Sequence, residues 1–218
     1  MRGLIRNNFY TTLAGAKTFA GIAVLTGIFV VAMDNAVPSL VIGYMLLVMI
    51  GFSLNSIVGI SKESTSKWGK YKLTAPVKKG DIVKSFFVSQ LLWLAVGIAF
   101  AGVGVALSVA LHGCPFDRDT DIFILFVAGT GISLFMGAIF FPLYFLGGEE
   151  RHEVILVISL LGGIGVIMGL VTLINMIYPG RQTARQIVLN GIFMTACSAA
   201  AFAASCLLSV GVFQRREM

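Results

Sequence analysis

Residues 39–60 read SLVIGYMLLVMIGFSLNSIVGI, and residues 61–84 read SKESTSKWGKYKLTAPVKKGDIVK. The first segment carries no charge. The second carries seven lysines, Lys62, Lys67, Lys70, Lys72, Lys78, Lys79 and Lys84, with Trp68, Tyr71 and Pro76 among them. An apolar run of about 20 residues is long enough to cross a bilayer as a helix. The pair therefore reads as a transmembrane helix that leaves the membrane into a basic loop. That loop fixes the orientation of the chain and marks where a soluble partner would dock.

Outward from this stretch the same pattern repeats. Apolar residues make up 57% of the 218, charged residues 12%, and the mean hydropathy is +0.93. A soluble domain carries about 25% charged residues. Six spans are expected, at 18–33, 39–60, 85–111, 122–146, 154–177 and 187–213, in one all-α transmembrane domain covering 1–218. The breaks have turn or polar chemistry: Asp34-Asn35, the lysine-rich loop 61–84, Cys114-Pro115, Gly147-Gly148 and Pro179-Gly180. No stretch between them is long enough to fold as a separate soluble domain. The net charge of +6 is assigned to membrane topology, and no nucleic-acid partner is expected.

The cations sort by side. With the amino terminus in the cytoplasm, Arg2, Arg6, Lys17, the seven loop lysines, Arg151, Arg215 and Arg216 are inside. Only Arg118, Arg181 and Arg185 are outside. The positive-inside rule then places both termini in the cytoplasm. The first ten residues, MRGLIRNNFY, mix Leu4, Ile5, Phe9 and Tyr10 with Arg2 and Arg6. They are expected to lie in the headgroup layer as a short amphipathic elbow, with a frayed tail as the competing reading. A signal peptide competes for the first run, but Lys17 interrupts the approach and no small-residue cleavage site follows Met33.

The spans read as free of charge near their middles. Intramembrane charge is the usual mark of proton or ion coupling, so a proton-driven transporter is disfavoured, and a water-filled ion channel with it. Small residues are abundant instead: Gly162, Gly163, Gly165 and Gly169 in the fifth span, and Ala199, Ala200, Ala201, Ala203, Ala204 and Ser205 in the sixth. Such residues let helices approach closely in lipid. Packing inside one subunit is the expected use, with a dimer seam as the alternative. Pro142 is expected to kink the fourth span. Cys197 and Cys206 read as packing residues. Cys114 with His112 is too few ligands for a metal site, and His152 among Glu149, Glu150 and Glu153 reads as a solvated turn.

Catalytic motifs are absent from the sequence. The only Gly-Lys pair, Gly69-Lys70, has Ser64 where a phosphate loop needs glycine. No H-E-x-x-H or G-x-S-x-G occurs. The chain is not expected to be an enzyme, and it holds no cofactor of its own.

Two inner loops carry a family resemblance. Glu63, Trp68 and Tyr71 precede Ala75-Pro76-Val77-Lys78-Lys79-Gly80-Asp81-Ile82-Val83, and Tyr144-Phe145-Leu146-Gly147-Gly148-Glu149-Glu150-Arg151 follows the fourth span. This resembles the short six-helix permease subunits of ATP-binding-cassette exporters, whose pattern is an acidic residue, an aromatic stretch and Leu-Pro-Val-x-(Arg/Lys)-x-x-Ile-Val. Ala75 and Lys79 depart from it. The resemblance implies a coupling helix at Glu63, Ser64, Thr65, Lys67, Trp68, Lys70 and Tyr71, seated in a separate ATPase subunit. Glu149, Glu150 and Arg151 would make a second contact. It implies a second permease, identical or paralogous, and ATP with magnesium held by the partner. It also places the pathway at the second and fifth spans, hence at Met49, Phe52, Asn55, Met168 and Asn175. The competing reading of the lysines is attraction to the lipid bilayer, about 1 kcal/mol each near an anionic surface. Without an extracellular domain, the chain looks most similar to exporters of amphipathic peptides, such as the phenol-soluble modulins. The alternatives are a structural or regulatory membrane protein without a pathway, and an ATP-independent facilitator.

Overall fold

The computed structural model describes residues 2–32, 38–65, 79–113, 116, 119–148, 151–178 and 183–216. These form six long helices: α1 (Arg2–Ala32), α2 (Pro38–Thr65), α3 (Lys79–His112), α4 (Asp119–Gly147), α5 (His152–Ile177) and α6 (Ala184–Arg216). The shortest has 26 residues. At 1.5 Å per residue that is about 39 Å, more than the ~30 Å of a bilayer's hydrocarbon core. All six are apolar enough to span a membrane. The protein is an all-α, six-span membrane protein.

Local chemistry sets several helix ends. Proline opens α2, where its missing N–H costs no intrahelical bond. Gly113 and Gly148 follow α3 and α4 at φ of 82° and 81°. Each donates its N–H back one turn, to Val109 O at 2.9 Å and Tyr144 O at 3.1 Å. A residue with a Cβ is strained in that left-handed conformation, so glycine stops both helices. Before α6, Gln186 Oε1 accepts from the Thr183 N–H at 2.9 Å and from its hydroxyl at 3.0 Å, much as in a capping box.

α4 is the central helix. It packs most extensively on α6 and also on α5 and α2, while α2 packs on α3 and α1. α5 is held mainly by α4 and leaves most of its circumference free. Two aromatic chains mark the interior. In one, Tyr10, Phe9, Trp93 and Phe52 follow one another, with Phe19 and Phe100 against Phe52. In the other, rings run Phe202, Phe87, Phe141, Phe140, Tyr144, Phe145, Phe213.

Three expectations are corrected. No separate amphipathic elbow exists, because Arg2–Ala32 is one helix. Its polar residues are satisfied inside the bundle: Asn8 Nδ2 donates to Ser85 Oγ on α3 at 3.0 Å, and Thr12 to Asn8 O at 3.0 Å. The first helix does not begin beyond Lys17, which falls midway along α1. Finally, the α5 glycines do not share one use. Gly163 abuts α4, where an added Cβ would lie 3.0 Å from Ile132 O, and Gly162 faces Ile139. Gly165 and Gly169 have nothing within 4 Å. On α6, Ser205 donates to Ala138 O at 2.7 Å, whereas Ala199, Ala200, Ala203 and Ala204 are exposed.

Candidate functional site

Antiparallel passes bring both ends of the chain to one end of the bundle, here the terminal end. Among the described residues Arg2, Arg6, Lys62, Lys79, Lys84, Arg151, Arg215 and Arg216 lie toward that end, and of these Arg6, Lys84, Arg151 and Arg215 are exposed. Against them stand Glu63 near the end of α2 and Asp81 and Glu153 within the first turns of α3 and α5. The face is therefore basic.

Of the expected coupling residues, Glu63, Ser64 and Thr65 form the last turn of α2, which runs beyond its expected end at residue 60. Lys67, Trp68, Lys70, Tyr71, Glu149 and Glu150 lie outside the described residues. Arg151 caps the start of α5 without a side-chain hydrogen bond of its own to the helix. The same core joins these elements. Ile57 near the end of α2, Val83 on α3, Phe141, Tyr144 and Phe145 on α4, and Ile155 on α5 pack into one cluster. Displacement of the end of α2 or the start of α5 therefore bears on a continuous block of rings and branched side chains.

The pathway residues fall into two groups that the chain does not bring together. Met49 and Phe52 are buried. Gly97 meets Met49 so closely that an added Cβ would stand 3.1 Å from its Cα. Phe52 lies 6.1 Å from Trp93 and 5.1 Å from Phe19, centroid to centroid. Asn55 donates to Gly51 O of its own helix at 3.0 Å and turns Oδ1 toward Gly15 of α1. Met168, by contrast, is 66% exposed. Asn175 lines an open groove of about 160 Å³ at the far end, with Val171, Ile174, Asn190, Gly191 and Met194. Met49 and Phe52 thus pack this subunit, and Met168 and Asn175 face outward from it.

One polar cluster was missed in the sequence. Gln90 is buried at the meeting of α2, α3 and α4. Its Nε2 donates to Ser53 Oγ at 3.1 Å and to Ser133 O at 2.9 Å. One turn toward the terminal end, the hydroxyls of Ser56 and Ser89 approach to 3.5 Å. Gly137 makes the room, since a Cβ there would overlap the Gln90 amide. The available signal was Gln90 itself, the one amide or charged residue in the run 85–111. In hydrocarbon such a group must find a partner helix. Among the described residues no group of three His, Cys, Asp or Glu side chains is placed to hold a metal.

Comparison with known proteins gives a family match. The family described as ABC-2 family transporter protein matches residues 3–214, nearly the whole chain. No curated protein and no solved structure matches.

Proposed function

The chain belongs to the ABC-2 family of transporter proteins, and from that premise we propose that it is the permease subunit of an ATP-binding-cassette exporter. The family match over 3–214 carries this reading, and the six-span fold agrees with it. The permease pairs with a second copy or a paralogue. A separate ATPase subunit binds ATP and magnesium and docks on the basic terminal end, which faces the cytoplasm. The segment 63–71 and the turn at 149–151 receive its motion.

The substrate is an amphipathic or antimicrobial-type peptide, or another hydrophobic compound. Two features support that class. The exposed side chains of α5 over residues 154–171 and of α6 over residues 188–211 are all apolar, which suits a substrate taken from the membrane. The expected outer loops are also too short to form a lid. The specific likeness to phenol-soluble modulin exporters remains part of this proposal.

Purification in nanodiscs with the ATPase encoded beside it tests the assignment. A stable complex whose ATPase rate rises with amphipathic peptide is the expected result. A stable complex that no peptide stimulates would remove the substrate class and keep the permease. Failure to form any complex would favour a structural or regulatory protein.

A further inference from the structure

One charge in this bundle is not explained by export. Lys17 is exposed and stands midway along α1. Its height follows from the helices beside it. Gly27 packs on Tyr44, Gly15 meets Asn55 and Gly59 meets Thr12, so Lys17 stands level with residues 51–55 of α2. α2 then continues ten residues past Asn55 to Thr65, about 15 Å at 1.5 Å per residue. The Asn8–Ser85 hydrogen bond sets Lys84 near the level of Asn8. Lys17 is nine residues, about 13 Å, deeper than that. In the other direction only 15 residues, about 22 Å, separate Lys17 from the end of α1 at Ala32, less than the ~30 Å of hydrocarbon.

An uncompensated ammonium at such depth is disfavoured and is normally paired or drawn to the interface. The described residues offer no pair. Each of its ten acids lies between helices, beyond α6, or within three residues of a helix end. None of the described ones is at the height of Lys17. A second copy beside it would repeat the same heights and supply none either. The bilayer is a ready source of the counter-anion.

The surface around Lys17 has the form such an anion needs. Arg6 and Lys17 are eleven residues apart, so they share a face to within about 20°. Tyr10 lies between them, 57% exposed, with the Arg6 guanidinium 5.6 Å above its ring. Arg6 thus leans toward Lys17. Beyond Lys17 the same stripe continues through Gly21, which has nothing within 4 Å, to exposed Val24 and Ile28. Two cations are followed by a notch and an apolar strip.

We propose that this face of α1 seats one anionic phospholipid from the leaflet at the terminal end. Lys17 holds the phosphate, Arg6 and Tyr10 flank the headgroup, and an acyl chain lies along Gly21, Val24 and Ile28. The bilayer is locally thinned there. A zwitterionic lipid brings its own cation to a stripe that already has two, so the seat prefers net negative charge.

Native mass spectrometry of the full-length protein, released from nanodiscs of phosphatidylglycerol and phosphatidylcholine, tests this. The expected spectrum shows phosphatidylglycerol retained in preference. Lys17→Gln lowers that retention about fivefold, the factor given by one lysine at an anionic surface. Lys17→Arg keeps it, and Lys84→Gln, at the headgroup level, leaves it unchanged. Lys17→Arg also controls for folding, as does elution of Lys17→Gln at the wild-type volume. Equal retention of the two lipids, or an unchanged Lys17→Gln spectrum, would overturn the proposal. So would displacement of the lipid by millimolar inorganic phosphate, which would make this a free-anion site, or full loss on Lys84→Gln, which would reduce it to diffuse charge.

Discussion

Gln90 shows how a single polar residue organises three helices. Its amide orientation is set by Ser133 O, which can only accept. The same amide then reaches Ser53 of α2, while its Oε1 accepts no bond among the described residues. Hydrogen bonds between membrane helices contribute about 0.6 kcal/mol on average, so the geometry matters more here than the bond energy. That geometry depends on Gly137, whose missing Cβ is occupied by the amide; even the amide carbon Cδ would stand 2.6 Å from an added methyl. Gly137→Ala should therefore cost about 1–3 kcal/mol through overpacking, read as a lower thermal midpoint in detergent. Gly165→Ala, with open space around it, should leave the midpoint unchanged. The double variant Gly137→Ala with Gln90→Ala should lose less than the sum of the two single changes, because removing the amide frees the methyl's volume. Strict additivity would mean that the two residues do not share that space.

At the scale of elements, α5 is two-faced. Ile155, Ser159, Gly163 and Ile167 form its buried stripe, at the 3–4 residue spacing of one helix face. Its opposite side carries Val157, Leu161, Met168 and Met176, all exposed, with Gly165 and Gly169 open among them. Gly163→Leu should unfold the α4–α5 contact, seen as loss of monodisperse protein. Gly169→Leu should leave the subunit folded and weaken its pairing with a second permease, measured by cysteine cross-linking along α5. An unaffected cross-linking yield would move the seam to another helix. The sequence disclosed the six spans because length and hydropathy alone decide them. It did not disclose which face of each span meets protein, since both faces are apolar and Gly163 and Gly165 look alike in sequence. The continuity of α1 was not legible either. Arg6, Asn7, Asn8, Thr11 and Thr12 lower local hydropathy at its start, and only the fold shows that Asn8 and Thr12 are buried and bonded. The site was less legible than the fold. Trp68 and Tyr71 were singled out by motif and lie outside the described residues, whereas Gln90 and the register of Lys17 emerge only from the fold.

Across the whole molecule, the basic terminal end and the aromatic core behind it form one mechanical unit. The ring sequence from Phe202 to Phe213 passes through α3, α4 and α6, and Ile57 and Ile155 join α2 and α5 to it. Force applied where α2 ends or α5 begins reaches five of the six helices through close-packed side chains, which deform little. If the ATPase presses there through segment 63–71, Trp68→Ala should leave the complex assembled and hydrolysing ATP while transport falls. Unchanged transport would take the docking role from that segment. All of this requires the terminal end to be cytoplasmic, and the bundle supplies a direct test. Arg215 and Arg185 are exposed at opposite ends of α6, thirty residues apart, about 45 Å along one helix. In a background with Cys114, Cys197 and Cys206 replaced by serine, a membrane-impermeant maleimide applied to intact cells should modify Arg185→Cys and spare Arg215→Cys. Permeabilised cells should show both modified. The reverse pattern would place thirteen of the sixteen cations outside, against the positive-inside rule, and would leave no cytoplasmic surface at which an ATPase could act on the end of α2.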